Sequence, residues 1–311
     1  MESEILMRKL RYAFTMVELI FVIVIMAILA RFGVEFLTQA YSSFIFSQVN
    51  TTLQAQSSVA LETVAARLQY RIRDSVIVRD NTNAFQALPG NAFGAAATVL
   101  EWVGSDADGL RGNNQPLWSG IIDLGISTPV NLNTPGTNTA NLNILINTLS
   151  NGGSGINNAA LFFRGSDSNI NRYGWLFASP AFNDQSNSMH PIVPIGNNFQ
   201  PWDVLNGALS SFNGEDVYEY YQLAWTAYAV AKQGTNLVLY YNYQPWEGEN
   251  YLAGSQAIIM QNVNTFQAKG DGSVIKIQVC VFSNIVDGDR NTTTVGVSAG
   301  GYSVCKEKTI F

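Results

Sequence analysis

Histidine and cysteine are almost missing from this 311-residue chain: His190 is its one imidazole, and Cys280 and Cys305 are its two thiols. Such a set cannot supply a four-ligand zinc site, and any catalytic base would have to be a carboxylate. Charge is scarce as well. Asp, Glu, Lys and Arg make up 13% of the residues, and 17 basic against 23 acidic side chains leave a formal net charge of −6. No sequence-wide field draws phosphate backbones, so nucleic acid is not an expected partner. Proline is absent before Pro89, and Gly33 is the one glycine in that stretch, so nothing there interrupts a helix.

What the chain does hold is 47% hydrophobic residues, 26 glycines, and runs of asparagine, serine and threonine. Apolar residues crowd the N-terminus. The run Phe14 to Ala30, FTMVELIFVIVIMAILA, carries a single charge, while Arg8, Lys9 and Arg11 precede it. At about 1.5 Å per residue it spans roughly 26 Å, and continuing past Arg31 by snorkelling makes up a bilayer core. The positive-inside rule places Arg8, Lys9 and Arg11 in the cytoplasm and the chain from Arg31 onward across the membrane. A secretory signal peptide would need a small-x-small cleavage site after Ala30, and the helical pattern continues instead. One helix is expected from Phe14 to about Asp74, roughly 92 Å long. Ile45, Val49, Leu53, Ala60, Val64, Leu68 and Ile72 recur mostly at steps of four and form an apolar stripe that must pack on something. The other faces between Phe36 and Leu61 carry no charge, which suits packing among like helices.

Glu18 is the anomaly inside the span. A carboxylate at membrane depth costs roughly 2.5 to 3.5 kcal/mol, so it has either a partner or a route to the headgroups. Ala13 to Ala30 resembles the class III signal of type IV prepilins and of the pseudopilins of type II secretion: a basic leader, a small residue, phenylalanine, a glutamate at the fifth position and an uninterrupted apolar run. The resemblance implies that a prepilin peptidase/methyltransferase cuts between Ala13 and Phe14, on the cytoplasmic side, and methylates Phe14. Glycine is the commoner residue before the cut in that family, and Ala13 stands there. Glu18 then meets the N-terminal ammonium of a neighbouring subunit, and two costly charges neutralise each other during assembly.

Beyond Asp74 the period falls from four to two. Strands are expected at Ser75 to Val78, Thr98 to Val103, Leu161 to Arg164 and Trp175 to Ala178. Tyr220 to Ala231 and Asn236 to Gln244 read as a hairpin around Gly234, followed by strands at Gln256 to Met260, Thr265 to Lys269 and Ser273 to Phe282. In the last of these, Ile275, Ile277, Val279 and Val281 face one way. The expected class is α+β: the pilin fold, a long N-terminal transmembrane helix that extends into the periplasm and packs on an antiparallel sheet. Residues 1–13 form the cleaved cytoplasmic leader, 14–74 the helix with 14–32 in the membrane, and 75–311 a β-rich periplasmic domain. Residues from about 131 to 158, rich in Asn, Gly and Thr, read as a surface loop or insertion. The portion from Tyr220 to Phe282 is most similar to the J-type minor pseudopilins and the W-type minor pilins, although Tyr240 and Tyr241 stand where that family often has an arginine.

An exported chain meets oxidising conditions, so a Cys280–Cys305 disulfide pinning the tail is expected, worth roughly 3 kcal/mol; two separate thiols are the alternative. Asp106-Ala107-Asp108-Gly109 and Asp287-Gly288-Asp289 have the alternate carboxylates of calcium loops without the full ligand set, and read as turn aspartates. Asn291, in Asp289-Arg290-Asn291-Thr292-Thr293, fits an extended bacterial glycosylation acceptor. His190, beside Pro191 in a polar loop, reads as an exposed bystander. The aromatics Tyr218, Tyr220, Tyr221, Trp225, Tyr240, Tyr241, Tyr243 and Trp246 could bind carbohydrate or bases, but sheet packing accounts for most of the set.

No catalytic constellation and no cofactor or metal site emerges, so an enzyme is not expected. The expected function is a minor pilin-like subunit that assembles into, and initiates or caps, a type II secretion pseudopilus or a type IV pilus. The alternative is a ligand-binding minor pilin serving adhesion or DNA uptake. The resemblance implies as partners other pilin or pseudopilin subunits, the peptidase, an inner-membrane assembly platform and the lipid bilayer.

Overall fold

A helix with no proline and a single glycine runs unbroken for 53 residues: α1 spans Met16–Leu68 in the computed structural model, which describes residues 15–90, 94–166, 169–176, 180–283 and 303–311. The chain divides into two units, residues 1–52 and 53–311, so α1 belongs to both. In the first unit no described residue is buried. In the second, Leu53, Ser57, Ala60, Leu61, Val64, Ala65 and Leu68 are all buried. The stripe expected from the four-residue spacing is thus a packed face from Leu53 onward, and Ile72 beyond the helix is buried too. The helix ends at Leu68, short of the expected Asp74. Arg71 pairs with Gly104 in an isolated bridge, and Arg73–Ser75 form a short 3₁₀ turn.

The described strands, in chain order, are β1 (Ile77–Arg79), β2 (Phe85–Ala87), β3 (Val99–Gly104), β4 (Ala160–Phe163), β5 (His190–Ile195), β6 (Asn198–Asp203) and β7 (Ala208–Leu209). They continue with β8 (Tyr221–Ala224), β9 (Thr226–Gln233), β10 (Asn236–Tyr243), β11 (Ser255–Met260), β12 (Val263–Asp271), β13 (Val274–Phe282) and β14 (Ser303–Ile310). They form three antiparallel sheets. Six strands run in the order β11-β10-β9-β3-β1-β2, five in the order β7-β6-β5-β4-β8, and three in the order β12-β13-β14. The α+β class follows directly, with α1 contacting β13 and β14. Lys306 of β14 donates to the Ser58 hydroxyl at 2.5 Å, and Lys308 meets the Glu62 carboxylate at 2.6 Å.

The run from Tyr220 to Ala231 is not one strand. It breaks at Trp225, where the chain leaves the five-stranded sheet and enters the six-stranded one. Trp225 is the reason: its ring is buried in a core with Trp118, Leu142, Ile146, Phe163, Phe199 and Tyr221, and its carbonyl accepts from Gln244 Nε2 at 2.7 Å. A second core, between the sheets, gathers Ile72, Val103, Tyr173, Trp175, Tyr243 and Trp246. The turn of the β9–β10 hairpin has Gly234 at φ +57°, a conformation that favours glycine.

The stretch from 131 to 158 is not a surface loop throughout. Thr139–Leu149 is a helix, α3, capped by the Asn138 side chain, which accepts from Asn141 N at 3.0 Å. Leu142 and Ile146, four apart, point into the core, and this pair anchors the segment. Trp175 is buried but belongs to no strand, and residues 177 and 178 lie outside the described residues.

Candidate assembly helix and disulfide

The N-terminal end of α1 is built by a local pattern, Thr15-Met16-Val17-Glu18. Glu18 Oε2 accepts from the Thr15 backbone N–H and from the Thr15 hydroxyl, both at 3.0 Å. The Thr15 oxygen in turn accepts from the Glu18 N–H at 3.3 Å. This is a capping box, the reciprocal pairing of a threonine with a glutamate three residues on. Glu18 therefore has a structural task within one chain, legible in the T-x-x-E spacing, besides any task between chains. Ala13 and Phe14, the expected cleavage pair, lie outside the described residues, as does the leader.

Along this end of α1 the apolar side chains stand open: Met16 is 83% exposed, Phe21 65% and Phe36 71%. The helix is long and apolar enough to cross a membrane. Arg31 and Glu35, one turn apart, approach to 3.9 Å on its exposed surface.

At the other end of the sequence, Cys280 and Cys305 are joined. They sit directly opposite in the β13–β14 ladder with Cα atoms 4.0 Å apart, and the bond ties the last strand to the sheet. Val281, Val279, Ile277 and Ile275 are buried on the opposite face, as their alternation requires. Asn291, Asp287 and Asp289 lie outside the described residues.

Asp106 is a buried helix cap. Its side chain accepts from Gly109 N and from Trp118 Nε1, each at 3.1 Å, and from Trp225 Nε1 at 3.4 Å. Burial raises its pKa, against these hydrogen bonds. Asp106 thus caps the start of α2 (Ala107–Arg111). Among the described residues, no three His, Cys, Asp or Glu side chains group to hold a metal ion.

His190 is not an exposed bystander. It begins β5, is 4% exposed, and lies 4.6 Å from the Phe163 ring and 5.3 Å from Phe212. Pro191 beside it gave it the look of a loop, whereas Pro191 pairs with Ala160 of β4 and Pro194 with Phe199 of β6. Burial lowers the His190 pKa to about 3. Of the late aromatics, Tyr221, Trp225, Tyr240, Tyr243 and Trp246 are buried, so packing accounts for them. Compared with known proteins, the chain matches no family model, no curated protein and no solved structure.

Proposed function

We propose that the chain is a minor pilin-like subunit, which enters the inner membrane as a single-pass protein with its C-terminal domain in the periplasm and assembles with like subunits into a pseudopilus or pilus. The observation that carries the reading is the division of one helix into two kinds of surface. From Met16 to Thr52 no residue is fully buried, with Ile45, Phe46 and Val49 half-buried near its end, while from Leu53 the helix is a packed part of a β-rich unit. An apolar rod of that kind needs lipid around it, or other rods. Exchange of one for the other is the mechanical step, and an initiating or capping place in the filament follows from the J-type and W-type resemblance. Processing between Ala13 and Phe14 gives Glu18 a neighbouring ammonium to meet. The capping box adds that the same carboxylate also fixes the start of its own helix.

These two tasks separate experimentally. Glu18→Gln keeps an acceptor for the capping box and removes the charge, whereas Glu18→Ala removes both. Both variants are expected to insert and to be processed to a mature chain beginning at Phe14, and both are expected to fail to enter sheared filaments. Normal incorporation of Glu18→Gln alongside failure of Glu18→Ala would reduce Glu18 to a cap and reject charge pairing. Mass spectrometry of material from the producing cell that finds Met1, or a start other than Phe14, would reject the whole reading.

A further inference from the structure

In the second unit, where the chain leaves α1, lies a cavity of about 780 Å³. Among the described residues its wall carries four of the chain's eleven arginines, Arg71, Arg73, Arg111 and Arg164, against one carboxylate, Asp74. They come from three distant places: the turn after α1, the last residue of α2 and the residue after β4. In a chain with 13% charged residues and a net charge of −6, composition does not account for that concentration.

The four are not equivalent. Arg71 is buried and spends its guanidinium on the fold, donating to the Leu68 carbonyl at 2.8 Å and to the Ser273 carbonyl at 2.5 Å. Arg73 and Arg164 are exposed and make no ion pair among the described residues. Arg111 is held at the rim, 3.7 Å from Asp108 and donating to the Tyr70 hydroxyl at 3.3 Å. Exposed guanidiniums are thus gathered around a concave space with the Leu110 side chain and the Gln222 amide in its wall.

We propose that this cavity binds an acidic segment of another polypeptide, with Asp or Glu carboxylates held by Arg73, Arg111 and Arg164. The guanidinium fork matches a carboxylate with two parallel hydrogen bonds, which a lysine cannot do, and every cation among the described residues of this wall is an arginine. The bounded volume suits a few side chains, with apolar and amide surface for the peptide between them. A nucleic-acid strand would need a basic track, and the acidic balance of the chain opposes one. The inference stands apart from the assembly reading, because capture of a peptide does not require incorporation into a filament.

The test titrates fluorescein-labelled hexaglutamate against the full chain in zwitterionic detergent, followed by anisotropy, with labelled hexathymidylate in parallel. Saturable hexaglutamate binding that weakens as sodium chloride is added is expected, and R73Q/R111Q/R164Q is expected to weaken it at least tenfold with the near-ultraviolet circular dichroism unchanged. Single R73Q and R164Q variants guard against misfolding of the triple variant, and each is expected to weaken binding several-fold. Absence of saturable binding, wild-type affinity in both single variants, or tighter capture of hexathymidylate than of hexaglutamate overturns the proposal.

Discussion

Arg79 and Glu101 sit on neighbouring strands, β1 and β3, with their charged atoms 2.5 Å apart and 2% and 1% exposed. Two charges in a core are tolerable only when their remaining hydrogen-bonding capacity is used. Here Tyr243 donates to Glu101 Oε1 at 2.9 Å, and Arg79 Nη2 donates to the Trp175 carbonyl at 2.6 Å. Burial pushes the Glu101 pKa up, and Arg79 opposes it. Glu101→Ala strands a guanidinium in the core and is expected to cost about 3 to 5 kcal/mol in urea unfolding; a cost below about 1 kcal/mol would show that the arginine finds another partner. Two further groups set the pH response. His190 is held neutral, so its contribution is complete above about pH 6.5 and is lost as pH falls toward about 3. Glu247, which accepts from Asn158 Nδ2 through both oxygens, has its pKa raised to about 7, first by burial and then by Glu249. Its contribution has the opposite sign: complete below the ordinary 4.5 and lost as pH rises through about 7. Between about pH 4.5 and 6.5 the two oppose each other. Glu247→Gln keeps an acceptor for Asn158 and removes one of them, so unfolding measured across that window is expected to show stability rising more steeply with pH than in the wild type. An unchanged profile would mean that Glu247 titrates normally.

Among the elements, β14 is the one held by the most varied means. It pairs with β13 along its length, shares the disulfide, and reaches α1 through Lys306 and Lys308. Replacing both cysteines with serine opens a crosslink between residues 25 apart, at a cost of about 3 kcal/mol on the chain-entropy account. Wild-type unfolding that is insensitive to reductant would contradict this. α3 is pinned by fewer contacts, and Ile146→Ala is expected to cost about 2 to 5 kcal/mol, since the emptied site opens into a core of Trp118, Phe163 and Phe199; a loss under 1 kcal/mol would mean that the helix is not needed by that core. The spacing of Leu53, Ala60, Val64 and Leu68 announced a packed face because the steps are one or two helical turns and none of the four is polar. The β9–β10 hairpin was legible for a similar reason, with β-branched and aromatic residues on either side of Gly234. α3 was hidden because its apolar pair is diluted by asparagine and threonine, and β5 because prolines stand in it. The Thr15–Glu18 box went unread, although its T-x-x-E spacing carries the signal. The arginine cavity was not, because residues 71, 73, 111 and 164 converge through tertiary folding and no local pattern joins them.

At the scale of the molecule, the packed core and the exposed apolar run of α1 reside in different residues. Every fully buried described residue lies at or after Leu53, so residues 15–52 supply no fully buried side chain. The hydrophobic effect that folds residues 53–311 therefore draws its fully buried side chains from that unit alone, and most of the apolar side chains of α1 before Leu53 stand exposed. A fragment beginning at Leu53 retains the packed turns of α1, the Lys306 and Lys308 contacts and the disulfide. It is expected to be soluble without detergent and to melt within a few degrees of the full chain, while the full chain partitions into detergent. Light scattering and thermal unfolding monitored by near-ultraviolet circular dichroism decide the matter. A fragment that aggregates, or that melts ten degrees lower, would place part of the folding energy in residues 15–52 and remove the division of labour on which the assembly reading rests.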